Sequence, residues 1–160
     1  YHYKRNGTCV VLMAVEPLVG RRVVKVTERK TKKDYAGYMK ALAASYPKAE
    51  KIILVQDNLN THNPSSFYEA FPADEAFALA QRFEMVYTPK KASWLNMAEI
   101  ELSALSKQCL DRRIDKMIVL SSQVMSWTKR RNHLKVVINW NFTKNDARNK
   151  FNRFYDTITN

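Results

Sequence analysis

Cysteine is nearly absent from this chain: Cys9 and Cys109 are its only two, with no CxxC spacing between or around them. That excludes a zinc site built on thiolates and a disulfide scaffold, and it fits a reducing compartment, the cytoplasm. Glycine and proline are scarce as well, at three and five residues, and 46% of the chain is hydrophobic. Such a composition excludes a disordered or low-complexity chain. No apolar run approaches the ~18 residues of a membrane span, and the start, Tyr1-His2-Tyr3-Lys4-Arg5, is not a signal peptide. Acidic residues are the minority charge, 15 against 27 Lys and Arg, leaving +12.

With no internal repeat and no Gly/Ser-rich linker, the 160 residues read as one domain, and without an initiator Met the chain is expected to be a fragment. A charge this positive points to a polyanion, the bland alternative being a solvated basic surface. The cations sit at Arg21-Arg22, Lys30 to Lys33, Lys90-Lys91, Arg112-Arg113 and Lys129-Arg130-Arg131, spread over several elements as a track along phosphates requires.

Thr8 to Glu16 and Arg22 to Thr27 are strand-like runs joined by Pro17-Leu18-Val19-Gly20, which reads as an antiparallel hairpin whose first strand is buried on both faces. Thr31 is placed to cap a helix with Asp34 at its third position and Tyr35, Tyr38, Met39, Leu42 and Ala43 on one stripe, ended by Pro47. Lys51 to Gln56 reads as a buried, parallel strand. Ser65 to Arg82 is helical, broken at Pro72. Phe83 to Tyr87 is a short strand, and Ser93 or Asn96 opens a long amphipathic helix reaching about Arg112. Further helices are expected at Lys116 to Arg131 and Asn145 to Ile158. The order is that of an α/β fold with an antiparallel start and a parallel continuation.

Two carboxylates stand out. Asp57 closes the apolar strand, at the edge where open α/β sheets place their ligands, and Glu99 opens a helix some forty residues later. Placed so, they can share a divalent metal. Phosphodiester cleavage and strand transfer need a nucleophile and a leaving oxygen held in line, which two ions about 3.5–4 Å apart accomplish between carboxylates. Hard cations such as Mg²⁺ take oxygen ligands and keep water, so a few acids suffice. A third is usually needed, and none upstream of Asp57 is well placed.

Each residue also has a plainer role. Asp57-Asn58 can simply start a turn. Asn96 and Glu99 have the spacing of a capping box. Glu101 competes with Glu99 but lies about 200° round the helix, so the two cannot face one metal. His62 either assists a water or phosphate at the same edge or is a hydrogen-bonded loop residue. Trp127 and Trp140 read as packing anchors, while Trp94, beside Lys90 and Lys91, is placed to stack on an unpaired base.

These segments resemble the DDE superfamily of transposases, in its mariner-like, bacterial insertion-sequence branch. Asp57-Asn58-Leu59-Asn60-Thr61-His62 is similar to that family's Asp-Asn-x-x-x-His motif, and Ser93-Trp94-Leu95-Asn96-Met97-Ala98-Glu99 to a variant of its Ser-Pro-x-Leu-Asn-Pro-x-Glu motif. The likeness runs from Arg5 to Phe154 and includes Arg5-Asn6-Gly7-Thr8, Glu16-Pro17-Leu18, Lys25-Val26-Thr27 and Gln108-Cys109-Leu110-Asp111-Arg112-Arg113.

The resemblance implies a ribonuclease-H-like mixed sheet flanked by helices, Mg²⁺ or Mn²⁺ as cofactor, and DNA cleavage and joining in transposition. It implies Asp57 as the second catalytic acid and Glu99 as the third, with Asn58, His62 and Asn96 as accessories. DNA contacts are expected from Lys90, Lys91, Trp94, Arg112, Arg113, Lys129, Arg130 and Arg131. The family's first Asp lies on a first strand upstream of Arg5, so that strand, its Asp and the end-reading region are absent here. The implied partners are transposon ends and target DNA, a second polypeptide supplying the missing acid, and a second copy in a homodimer. A transposase divided between two reading frames and a decayed, DNA-binding remnant are the two origins the sequence leaves open; a nuclease acting on RNA or repair substrates is a third reading. Because the first strand lies between the hairpin and the Asp57 strand in that fold, its loss leaves two edges unpaired. The isolated chain is expected to be aggregation-prone or inactive. A monodisperse protein with a cooperative thermal melt that also cleaves end-containing DNA contradicts this.

Overall fold

A computed structural model describes residues 7–57, 62–90 and 95–155, with side chains as far as residue 150. Strands β1 (Val10–Glu16) and β2 (Arg21–Thr27) pair antiparallel, from Val10 opposite Thr27 to Glu16 opposite Arg21. Their turn closes with the Gly20 N–H donating to the Glu16 carbonyl at 2.9 Å. Gly20 has φ +77, and a Cβ there would meet the Lys135 backbone at 2.5 Å, so both conformation and space demand glycine.

Helix α1 (Lys32–Ala44) starts with a capping box: the Asp34 N–H donates to Thr31 Oγ1 and the Thr31 N–H to the Asp34 carboxylate, both at 3.1 Å. Its expected stripe, Tyr35, Tyr38, Met39, Leu42 and Ala43, is buried. Strands β3 (Ile52–Gln56) and β4 (Phe83–Tyr87) pair parallel, joined through α2 (Ser65–Ala70) and α3 (Ala73–Gln81) with the break at Phe71-Pro72. Helix α4 spans Ala98–Leu105 and is prolonged by a π-helical turn, Ser106–Leu110. It is shorter than expected, starting after Asn96 and leaving helical geometry at Asp111. The wider turn keeps Leu105 and Cys109 in one cluster with Val24, Val124 and Trp127, and Trp127 Nε1 donates to Gln108 Oε1 at 2.9 Å. Helices α5 (Met117–His133) and α6 (Lys144–Tyr155) complete the chain. No described helix is long and apolar enough to cross a membrane.

The hairpin is sandwiched between two helical layers. Leu12, Ala14 and Val23 pack toward α1, while Val11, Met13, Val24 and Val26 pack toward α4 and α5, as strand alternation dictates. Among the described residues the β3–β4 pair has only one cover. Ile52 and Leu54 join the α1–α2–α3 core around Phe67, but Ile53 and Val55 are 67% and 50% exposed on the other face. The expectation of a strand buried on both sides is therefore corrected for β3, since the α4–α5 layer ends over the hairpin. It is corrected for β1 as well: all seven residues are only half-buried. The cause is topological. Among the described residues β1 and β3 do not pair, and the mixed α/β fold contains two two-stranded sheets where a continuous one was expected.

Glu101 binds the layers together. Its carboxylate, 1% exposed, accepts from Arg22 Nε at 2.5 Å and from Arg131 Nε at 2.6 Å, linking α4 to β2 and α5. Asn132 adds a second tie, accepting from the Arg22 N–H at 2.8 Å and donating to the Arg22 carbonyl at 2.9 Å. Burial pushes the Glu101 pKa up, but hydrogen bonds from Arg131 and Arg22 outweigh it and hold the carboxyl below its ordinary value. The stability it contributes is present above the ordinary glutamate pKa near 4.5 and lost as pH falls through the lower folded value. Glu101→Ala, which strands two guanidinium groups, should cost about 3–5 kcal/mol in urea unfolding. Between neutral pH and the acid range, Glu101→Gln should lose less stability than the parent; identical pH profiles would contradict the assignment.

Candidate functional site

A groove of about 420 Å³ separates β1 from β3, walled by Leu12–Val15 on one side and Ile53–Gln56 on the other, with Tyr35, Tyr38 and Met39 of α1 along it. Helix α1 sets the relation of the two strands. Its first turn meets the end of β3, the Tyr35 hydroxyl donating to Gln56 Oε1 at 2.9 Å, and the residue just past its last turn meets the end of β1, the Tyr46 hydroxyl donating to Glu16 Oε2 at 3.0 Å. The two strands therefore run in opposite directions across the groove. Tyr38, midway, donates to the Val23 carbonyl at 2.7 Å. Burial holds the Tyr35 and Tyr38 hydroxyls well above the ordinary phenol pKa, so both remain donors at any physiological pH.

Asp57 stands at the carboxyl end of β3, where the apolar strand stops, and its side chain is 32% exposed. His62 is fixed beside it by groups the sequence reading did not single out. The His62 ring stacks on Tyr35 with centroids 5.0 Å apart, and its carbonyl accepts from Gln56 Nε2 at 3.1 Å and from the Tyr87 hydroxyl at 2.8 Å. A glutamine closing an aliphatic strand was the available signal, because a buried amide there must find partners. His62 Nδ1 lies 3.6 Å from Asp57 Oδ1, within electrostatic reach but beyond a hydrogen bond, and it is buried with no hydrogen-bond partner among the described residues. The loop-histidine reading holds for its backbone, while its ring is left facing Asp57.

The entrance to α4 lines the same groove, to which Asp57, His62 and Leu95–Ala98 all contribute. Asn96 Oδ1 accepts from the Ala98 N–H at 3.1 Å, and the Asn96 carbonyl accepts from the Glu99 N–H at 3.0 Å. Asn96 thus caps through the turn that precedes the helix, and the reciprocal bond of a capping box, from the Asn96 N–H to the Glu99 carboxylate, is not among the described contacts. Glu99 sits in the first turn of α4, exposed to solvent. Glu101, two positions on, is spent on Arg22 and Arg131.

Carboxylate oxygens of Asp57 and Glu99 suit a hard divalent cation in type. In number they fall short: no three His, Cys, Asp or Glu side chains among the described residues cluster as a metal site. Of the basic residues, Lys90 is exposed just past β4, at the sheet edge that carries Asp57. Arg112 and Arg113 are exposed after the π turn, with Arg112 donating to Gln123. Lys129 and Arg130 face solvent from α5, whereas Arg131 is held by Glu101 and lies 5.1 Å above the Trp127 ring, so it is the one cation of that cluster drawn inward. Asn58, Lys91 and Trp94 lie outside the described residues.

Burial lowers the His62 pKa, the Asp57 charge pulls it back upward, and Lys30 adds to the lowering; the net position is below 6.5, so the ring is neutral at pH 7. Asp57→Asn removes the upward pull and should lower the His62 midpoint further in a proton NMR titration. A midpoint at or above 6.5, or a rise in the variant, contradicts this geometry.

Comparison with curated proteins and with solved structures returns no match. The family described as DDE superfamily endonuclease matches residues 1–121, which take in both strand pairs, Asp57, His62, Glu99 and the start of α5. With three quarters of its length matched, Asp57 at a strand end and Glu99 at the head of a helix, the chain belongs to the DDE superfamily of endonucleases.

Proposed function

We propose that the chain is part of the catalytic domain of a mariner-like DDE transposase of the bacterial insertion-sequence kind, acting in the cytoplasm on transposon-end and target DNA. What supports this reading is that Asp57, at the end of its strand, and Leu95–Ala98, which lead into the helix of Glu99, line one groove in a chain of this family. On this reading the two half-sheets belong to a single ribonuclease-H-like sheet. Asp57 and Glu99 would hold Mg²⁺ or Mn²⁺, which when bound supplies charge stabilisation and an activated nucleophile for phosphodiester cleavage.

The chain's own residues perform the remaining work. Tyr35, Gln56 and Tyr87 hold the His62 segment against Asp57, and the neutral ring can accept or relay a proton at Nδ1. Lys90, Arg112, Arg113, Lys129 and Arg130, exposed on separate elements, offer phosphate contacts that draw DNA in without reading its sequence. A second reading, a binding-only remnant, is favoured by one observation: the described carboxylates do not complete a metal cluster.

The two readings separate in a nicking assay on end-containing duplex DNA, using a protein whose sheet has been completed. Mg²⁺-dependent nicking that falls at least about 100-fold with Asp57→Asn and with Glu99→Gln, a loss of about 2.7 kcal/mol of transition-state stabilisation, is the expected result. Salt-sensitive binding that persists in EDTA, with no nicking by the parent, would establish the remnant instead.

A further inference from the structure

The carboxyl ends of three strands share one edge of the molecule. Since β1 runs opposite to both β2 and β3, those two run the same way, and β4 is parallel to β3. Helix α1 fixes the same relation locally: it begins five residues after β2 ends at Thr27, and its first turn bonds Gln56 through Tyr35 at the end of β3. The β2–α1 loop, Glu28 to Thr31, thus borders Asp57 and His62 from the hairpin side. Lys90 borders Asp57 from the other side, two residues past Thr88, whose N–H donates to the Gln56 carbonyl at 2.9 Å.

Positive charge gathers on that loop. Residues 25–34 hold five cations against two acids, and of these Lys32 is paired with Glu69 at 2.8 Å while Asp34 is spent on the helix cap. Lys25, Arg29 and Lys30 are exposed and form no salt bridge among the described residues. Lys25 Nζ lies over α1, 3.9 Å from where a Cβ on Gly37 would stand. Lys25 and Arg29 reinforce the lowering of the Asp34 pKa that its bonds to Thr31 begin, and Lys30 reinforces the lowering of the His62 pKa that burial begins. The loop backbone is held at both ends, Thr27 Oγ1 donating to the Arg29 carbonyl at 2.8 Å and Thr31 capping α1. Its cations are therefore presented from a fixed frame.

We propose that the β2–α1 loop clamps the backbone of the substrate DNA: Arg29 and Lys30, with Lys25 behind them, take phosphates on the hairpin side of Asp57, and Lys90 takes one on the β4 side. The strand to be cut then lies along the strand-end edge, its scissile phosphate between the two. This rests on the function proposed above for its substrate and adds the path the DNA takes. Lys129 and Arg130 cannot serve the same purpose, because Asn132 beside them bonds Arg22 at the amino end of β2, which puts them at the opposite edge. Cations on neighbouring residues of a fixed loop match successive phosphates of one strand. They position DNA and read no bases.

The probe is a fluorescein-labelled duplex DNA bound by the whole chain in EDTA, where anisotropy reads binding alone. Arg29→Gln with Lys30→Gln should weaken binding at least about tenfold and flatten the slope of log affinity against log salt by about two. Lys48→Gln with Lys51→Gln removes the same charge at the amino end of β3, the opposite edge, and should change affinity by less than about twofold. Arg29→Lys with Lys30→Arg keeps both charges and should bind as the parent does. In amide NMR, added duplex should shift Glu28 to Thr31 together with Lys90 and leave Lys48 and Lys51 in place. Equal losses from the two glutamine pairs, an unchanged salt slope, or shifts confined to α5 would each overturn the inference and leave the proposed function standing. No DNA binding by the parent would overturn both. A parent that binds through the loop yet never nicks in Mg²⁺ removes the catalytic reading and leaves the clamp.

Discussion

The burial of one face of α1 across two strand pairs that do not pair with each other among the described residues is the constraint on which the site depends. Tyr38 bonds to the Val23 carbonyl on the hairpin side and Tyr35 to Gln56 on the β3 side, so a single rigid helix holds the two half-sheets at a set separation and in opposed directions. Both phenols are buried, and a buried hydroxyl without its acceptor costs about 1–3 kcal/mol, which ties the placement of each sheet to the helix more firmly than apolar contact alone. Tyr35 does more than pack. By stacking on His62 and bonding Gln56, which in turn bonds the His62 carbonyl, it extends the rigidity of the core to the segment that follows Asp57.

Two glutamates two positions apart on α4 show how a helix sorts identical side chains into different roles. Glu101 faces the interior, where only two guanidinium groups make its charge tolerable, and it thereby fixes α4 and α5 onto the hairpin. Glu99, about 200° around the helix, is left at the surface with its carboxylate free of described partners. The buried triad fixes where α4 lies; the free carboxylate is available at the end where that helix begins. Under the proposed function, positioning and chemistry are thus divided between neighbours, and substitutions at the two sites should differ in kind.

Much of this was legible in the chain. The capping box at Thr31 and Asp34, the apolar stripe of α1, the hairpin turn at Pro17–Gly20 and the helix break at Pro72 follow from local chemistry, because each is decided by residues within a few turns of one another, while the parallel pairing of β3 and β4 follows from the order strand, helices, strand. Asp57 at a strand end was legible for the same reason. What was misjudged was burial. Runs such as Val10–Val15 and Ile52–Val55 are apolar at successive positions, which announces a central strand covered on both faces, and here their edges line an open groove with Ile53 and Val55 exposed. The sequence pattern describes the environment the strands are built for, and the described residues do not supply all of it.

By itself the sequence determined the elements and the family and singled out two carboxylates as candidates, since periodicity, caps and motif spacing are properties of neighbouring residues. Only the tertiary structure decided which charged groups are free. Arg22, Arg131 and Glu101 look like any other surface charges in the chain, and only their convergence from β2, α5 and α4 turns them into a buried anchor. Likewise, nothing local to Gln56, Tyr87 or Tyr35 marks them as the support of His62. Such roles depend on distances between elements remote in sequence, and those distances are set by packing rather than by any one segment's own preferences.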